Sequence, residues 1–522
     1  MRFVQEQKRL AAYLFALALT GMLLVYLTTY RFGPGISTDG ARYLSTAQSL
    51  SEGRGFIDYL NAPLTQFPPL YSILIAGIHL LIGVDVFVAA QFLNILSFGL
   101  VIWLAGIFFQ RIFPNQPLAA HIGSAIFATS LSLVIIASNI LSDLLFLAFV
   151  LAFLIAATDM LETGTQSRMV TLGIIAGVSS FQRYAGLTLS ITGALLLLFL
   201  YRRNLGKGIV YAGLFGALSG LPIVLWVYFH NYLQTGILFG VRMPPNYLGN
   251  LQVTIEKAVH WFIPVTLTNI IPLWALALIV LIVLIAGSRL SDWKRWLRSL
   301  ITPYFLPSLI FLILYLSVLI FNISYSEVRW PFMDRIHIII LPALLALMFL
   351  TIRELTPWFV RKLEARTVRL LAVVVFVAWL VFPVYNLQKY SRNAYVHGET
   401  SEYNLYNIPV LRDSGIADFL NSRSVGLDQK IYSNYEAAAW FLTRRTITKM
   451  PHGETRERSV DAVEVLRQFP DWPGKDGNGY VIWIDELSFK PYVLHPDQLV
   501  ERARFELVHW SKGGEIYRLT PR

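Results

Sequence analysis

Four short polar clusters, each bordering an apolar stretch, hold the residues whose types could do chemistry. The first is Ser37-Thr38-Asp39-Gly40-Ala41-Arg42-Tyr43, which leads into a helix ending near Ser51-Glu52-Gly53-Arg54-Gly55-Phe56. The second is Ser138-Asn139-Ile140-Leu141-Ser142-Asp143, and the third is Gln182-Arg183-Tyr184. The fourth is Glu327-Val328-Arg329-Trp330-Pro331-Phe332-Met333-Asp334-Arg335-Ile336-His337. Carboxylates can take a proton from a hydroxyl or hold a metal ion, and arginines can grip phosphate. Ionisable groups at a membrane boundary are costly to bury and so need a reason to be there. Plain structural readings stand beside these. Asp39 and Asp143 sit where helices begin, and Asp is a favoured N-cap. Arg183 can snorkel, Asp334 and Arg335 can pair locally, and Arg42 fits a solvated helix face.

For the clusters to meet, the apolar stretches between them must set all four on one side of a membrane. Hydrophobic residues make up 55% of the 522 and charged residues only 14%. A soluble domain carries about 25% charged residues. Leu10 to Tyr30 contains no charge, and about 20 apolar residues cross a bilayer as a helix. The basic residues fall between apolar blocks: Arg2, Lys8 and Arg9; Arg202, Arg203 and Lys207; Arg289, Lys294, Arg295 and Arg298; Arg353, Arg361, Lys362, Arg366 and Arg369. Short basic loops stay cytoplasmic. The net charge of +11 is therefore a topology signal and a contact with anionic lipid, not a nucleic-acid surface.

This reading predicts a polytopic α-helical membrane protein in the plasma (inner) membrane. Its N-terminus is cytoplasmic and its C-terminus extracytoplasmic. The first helix runs outward from Leu10, followed by a large outer segment over residues 31–85. Later spans start near Val86, Leu118, Asp143, Met169, Gly186, Ile209, Ile263, Pro303, Ile336 and Leu370, about eleven crossings in all. Pro68 to Val84 is apolar but short, which suits an interfacial or re-entrant helix. Met169 to Tyr201 reads as two short helices broken at Arg183 on the outer surface; the alternative is one long tilted helix. The membrane domain is residues 1–387, and residues 388–522 turn soluble. Strands over Lys430–Ser433, Thr446–Lys449, Tyr480–Asp485, Phe505–Trp510 and Glu515–Leu519 alternate with short helices, which predicts a small α/β domain. There is no phosphate-cradling Gly-Lys-Ser/Thr loop, no His-Glu-x-x-His and no Asp-x-Asp. The absence of cysteine excludes disulfides, thiolate metal sites and cysteine nucleophiles.

At its polar clusters the chain resembles the GT-C superfamily of polyprenyl-phosphate-sugar-dependent glycosyltransferases. The likeness is to the branch with protein O-mannosyltransferases and aminoarabinose transferases. Asp39-Gly40-Ala41-Arg42-Tyr43 with Glu52-Gly53-Arg54-Gly55-Phe56 looks like that family's first outer loop, and Phe67-Pro68-Pro69-Leu70-Tyr71 like its Pro-Pro-Leu-Tyr element. Asp143 matches its second acid and Arg183 its basic residue at a helix break. Asp334-Arg335-Ile336-His337 before Leu341-Pro342 is a partial match to its late Arg-aromatic pair. The family's paired acid is replaced here by Asp39-Gly40, and its Lys before the first proline by Gln66-Phe67.

The resemblance implies transfer of a sugar, with inversion, from a polyprenyl-phosphate donor to a glycan, lipid or protein acceptor on the outer side. Asp39 would be the general base, and Arg183 and Arg335 would stabilise the departing lipid phosphate. Asp143 would orient the acceptor or a divalent ion, Mg or Mn, with Asp39 and Asp143 as its ligands. Arg42, Tyr43, Asn139, Tyr184, Arg329, Asp334 and His337 complete the expected substrate contacts. A transporter or lipid-linked-sugar flippase is the alternative, but transporters place ionisable groups near the midplane and show repeats.

Overall fold

The computed structural model describes residues 2–236, 238, 247–325, 334–355, 364–398, 401, 403–422, 425–426, 429–453, 461–484, 487 and 492–522. Helix α1 (Arg2–Thr29) packs on α4 (Val86–Ile112). The approach is close because Gly99 and Gly106 of α4 leave room for the Met22 and Leu14 side chains. Between them lie α2 (Thr38–Ser51) and α3 (Leu70–Ile82). At 13 residues, α3 is about 20 Å long, too short to span, and Leu81 at its end is 88% exposed. That agrees with an interfacial or re-entrant helix.

The predicted span from Leu118 is a bent pair. Helix α5 (Pro117–Thr129) turns by 54° at Ser130 into α6 (Leu131–Ala137). Helix α7 (Asp143–Thr163) follows, then α8 (Gln166–Gln182), α9 (Leu187–Leu200) and α10 (Leu205–Ser219). Arg183 is extended (φ −150°, ψ 141°), and α8 and α9 pack against each other. The chain folds back at this point, so the apolar run is two helices and not one tilted one. Gly186 makes the reversal possible, since a Cβ there would lie 2.5 Å from the Ser179 carbonyl carbon and the Ser180 nitrogen.

Among the described residues, five helices are long and apolar enough to cross a membrane, and the two bent pairs raise this to seven. The second pair is Leu205–Ser219 with Leu221–Thr235. Leu70–Ile82, Tyr184–Leu200 and Leu306–Phe321 are apolar but shorter. The expected span from Ile263 is not continuous: a single turn at Val265–Thr268 precedes a helix at Leu273–Gly287. Tyr247–His260, which the apolar-length criterion passed over, is a helix of mixed character.

The C-terminal region holds a five-stranded sheet of order β2-β1-β3-β5-β4, formed by β1 (Lys430–Ser433), β2 (Ile447–Lys449), β3 (Gly479–Trp483), β4 (Ala503–Ser511) and β5 (Gly514–Pro521). β1 pairs in parallel with β2 and β3, while β5 runs antiparallel to β3 and β4. Every predicted strand is present. β3 is buried throughout, as expected of a strand covered on both faces. The helix Glu436–Thr443 packs on α2, and the Ile447 amide donates to the Tyr59 carbonyl at 2.9 Å. The sheet therefore lies on the same side as the segment that carries Asp39.

Candidate active site

The turn before α2 is fixed from two directions. Gly35 bridges to Asn139: its amide donates to the Ser138 carbonyl, and the Ile140 amide donates to the Gly35 carbonyl, both at 2.9 Å. A Cβ on Gly40 would come within 3.0 Å of the Ile140 carbonyl oxygen, so α2 starts hard against the turn that starts α7. From the other side, the Asn404 side chain accepts from the Ile36 amide at 3.1 Å. The Asn407 side chain donates to the Phe32 and Pro34 carbonyls at 2.7 and 3.0 Å.

Ser37, not Asp39, caps α2; its hydroxyl accepts from the Gly40 amide at 3.3 Å. Asp39 lies in the first turn and is released from the capping role that its position suggested. Its carboxylate pairs with Arg335 at 2.6 Å, 296 residues away. Asp143, 1% exposed, pairs with Arg183 at 2.8 Å. Ser142 ties the pairs together. Its hydroxyl takes a hydrogen bond from Arg183 at 3.1 Å and shares another with the buried Tyr43 hydroxyl at 2.9 Å. The Ser142 carbonyl accepts from the Gln182 amide group at 2.9 Å. Tyr43 feels the charges of Arg183, Asp39 and Asp143, and Arg335 feels Asp143 as well as Asp39. Asp39, Tyr43, Asp143, Arg183 and Arg335 thus form one electrostatic cluster.

The remaining candidates are placed around it. Asp334 does not pair with its neighbour Arg335; it accepts from Ser132 at 2.7 Å and faces Lys257 at 3.4 Å. Tyr184 donates to the Thr65 carbonyl at 3.1 Å and Asn231 donates to the Tyr184 hydroxyl at 3.0 Å, so it braces the first outer loop. Asn139 is buried and donates to the Ile135 carbonyl at 2.7 Å and to Ser401 at 3.0 Å. His337 is buried. Arg329 lies outside the described residues. Arg42 is not a solvated helix-face residue: it stands 3.6 Å from the buried Asp58 and is hydrogen-bonded to Tyr59. Burial opposes the Arg42 charge, but Tyr59, Asp58 and Asp39 outweigh it and raise its pKa. Burial likewise pushes the Tyr59 phenol up to about 12.

Sequence reasoning placed Ser37 and Ser142 in the polar clusters but gave them no role of their own, and it missed Lys257 and Asn94. Asn94 lies in the charge-free stretch of α4 before Arg111; it accepts from Tyr71 at 2.7 Å and donates to the Asn139 carbonyl at 2.6 Å. An amide in an apolar run is itself a signal. Among the described residues no three His, Asp or Glu side chains converge as a metal site would need. Asp39 and Asp143 each face a guanidinium, so a divalent ion would have to displace an arginine. The donor set does not fit a metal, and no step below uses one.

No family model and no curated protein matches this chain. Solved structures do. ArnT from Cupriavidus metallidurans, bound to undecaprenyl phosphate, superposes with a TM-score of 0.57 at 14% identity, covering 96% of this chain and 97% of that one. The Archaeoglobus fulgidus oligosaccharyltransferase, in complex with Zn and sulfate, gives a TM-score of 0.54 at 14% identity, covering 96% and 73%. The chain has the fold of these two proteins, the fold expected from the resemblance of its polar clusters to GT-C glycosyltransferases.

Proposed function

We propose that this protein is a membrane glycosyltransferase. It moves a sugar from a polyprenyl-phosphate donor to an acceptor hydroxyl on the outer side of the membrane, with inversion. The observation that carries this reading is the meeting of two acid–arginine pairs around Tyr43 and Ser142. ArnT, which shares the fold over nearly its whole length, is a structure with undecaprenyl phosphate bound.

The pairing suggests how the groups are used. Arg335 holds Asp39 before the donor arrives, and its Nε is buried without a hydrogen-bond partner among the described residues. A guanidinium has five N–H groups, so Arg335 can turn toward a phosphate and release Asp39. The acceptor oxygen attacks the anomeric carbon as the carbon–oxygen bond to phosphate breaks. Its proton passes to Asp39. The leaving lipid phosphate gains charge in that step, and Arg335 and Arg183 are its stabilisers. Asp143 and the Ser142 hydroxyl both hold Arg183 and so set its direction. The N-terminus is cytoplasmic, and the site and the C-terminal domain (residues 388–522) face outward.

The test is to supply the purified protein with a panel of polyprenyl-phosphate sugars and membrane glycolipids. Release of polyprenyl phosphate is expected with at least one donor, and it should be lost in Asp39→Asn. No release from any donor by the unaltered protein would overturn the reading.

A further inference from the structure

Beside the paired charges lies a cavity of about 660 Å³ that the proposed transfer step leaves unused. The 54° bend at Ser130 lies on its wall, with Thr129, Ser130, Leu131 and Ser132 among its lining residues. One end is polar: Ser132, Asp334 and Lys257 meet there, with His260 adjacent and hydrogen-bonded to Thr268 at 3.1 Å. The other end is an aromatic wall. Trp379 is held by its ring nitrogen, which donates to the Phe262 carbonyl at 2.8 Å, and its ring stacks on Phe376. Val265, which lines it, is 52% exposed, so the cavity opens to the surface.

We infer that this cavity is the acceptor subsite and that it binds the neutral sugar headgroup of a lipid-anchored glycan. The inference rests on the glycosyltransferase reading. A volume of 660 Å³ suits a sugar and the first part of its anchor. Among the described residues the polar end carries one carboxylate and one ammonium, paired with each other at 3.4 Å, so an anionic group gains little there. Sugar hydroxyls can donate to Asp334 and accept from Lys257. The apolar face of a sugar ring lies well against rigid indole and phenyl rings. Position adds to the argument. Asp334 faces this cavity while the next residue, Arg335, reaches Asp39. Consecutive residues on a helix point about 100° apart, so the same short helix, Asp334–His337, presents one side chain to the subsite and the next to the catalytic base.

The chain has no cysteine, which allows a test that needs no turnover. Thr266→Cys, on the cavity wall, is reconstituted in nanodiscs of neutral lipid and labelled with a maleimide. Octyl β-glucoside, octyl phosphate and octanol are added in turn at equal concentration. Octyl glucoside is expected to slow labelling several-fold and the other two to leave it unchanged, and Asp334→Asn or Ser132→Ala in the same background should weaken the protection. Equal protection by octanol would show an apolar groove only. Stronger protection by octyl phosphate would show a donor-phosphate site. Either result overturns the inference. Absence of sugar transfer with glucoside protection intact would instead remove the reading of the catalytic site.

Discussion

Asp39 was legible as an acid at the start of an outer helix, but its partner was not. Arg335 lies 296 residues away, and no local pattern links them. The structure also moves the helix cap to Ser37, and this separates two roles that one position had confounded. Asp39→Asn is expected to lower transfer by about 10² to 10⁴, the usual worth of a general base, with donor binding largely kept. Ser37→Ala should instead cost about 1 kcal/mol of stability and leave turnover per folded molecule intact. Turnover and melting temperature measured on both variants check this, and an active Asp39→Asn enzyme would remove the base assignment. For Arg335→Ala, loss of a charge-assisted contact to phosphate is worth about 1.5 to 3 kcal/mol, so donor use should fall tenfold or more. Arg183→Ala should do more damage, because it also strands Asp143, which is 1% exposed. Breaking a buried pair from one side costs about 3 to 5 kcal/mol, and a lower yield of folded protein is the expected sign.

At the scale of elements, charge-free length and basic loops located the long helices and the break at Arg183. They could not show how α8 and α9 meet, since that depends on a backbone-to-backbone approach at Gly186. A side chain there would press on the Ser179–Ser180 peptide. Backbone cannot rotate away as a side chain can, so Gly186→Ala is expected to destabilise by about 1 to 3 kcal/mol. It should also shift Arg183 away from Ser142 and Asp143, and so lower activity more than stability. Thermal melting beside a donor assay tests this; a fully active and stable Gly186→Ala protein would show that the turn is not strained by a methyl group. Length alone misjudged the region from Ile263, where Pro264 and Pro272 each stand just before a helix, so the apolar run is two pieces. The strands were read well because each is a compact run of apolar and β-branched residues between turn signals.

At the scale of the whole molecule, the sheet and the first outer segment share buried groups. Asp58 is 8% exposed and its carboxyl is raised above the usual range by burial, despite amide hydrogen bonds from Leu60 and Ala62 and the nearby Arg42. A carboxyl whose folded pKa is raised contributes stability below its unfolded value and loses it as pH rises through the folded value. The melting temperature of this interface should therefore rise on mild acidification through the carboxylate range, and Asp58→Asn should flatten that part of the profile. The same packing fixes the parity of the topology. Helix Glu436–Thr443 rests on α2, so the chain between residues 51 and 436 must cross the membrane an even number of times. With the basic N-terminus inside, as we propose, α1 would carry α2 outward, and the C-terminal sheet would lie outside with it. This argument does not depend on whether each short or bent helix counts as a span, which is where counting along the sequence is weakest. A reporter active only in the cytosol, fused after Arg522, should be silent, and the same reporter fused after Arg203 should be active. A C-terminal signal would place α2, Asp39 and the proposed site on the cytoplasmic face, where a donor in the outer leaflet could not reach them.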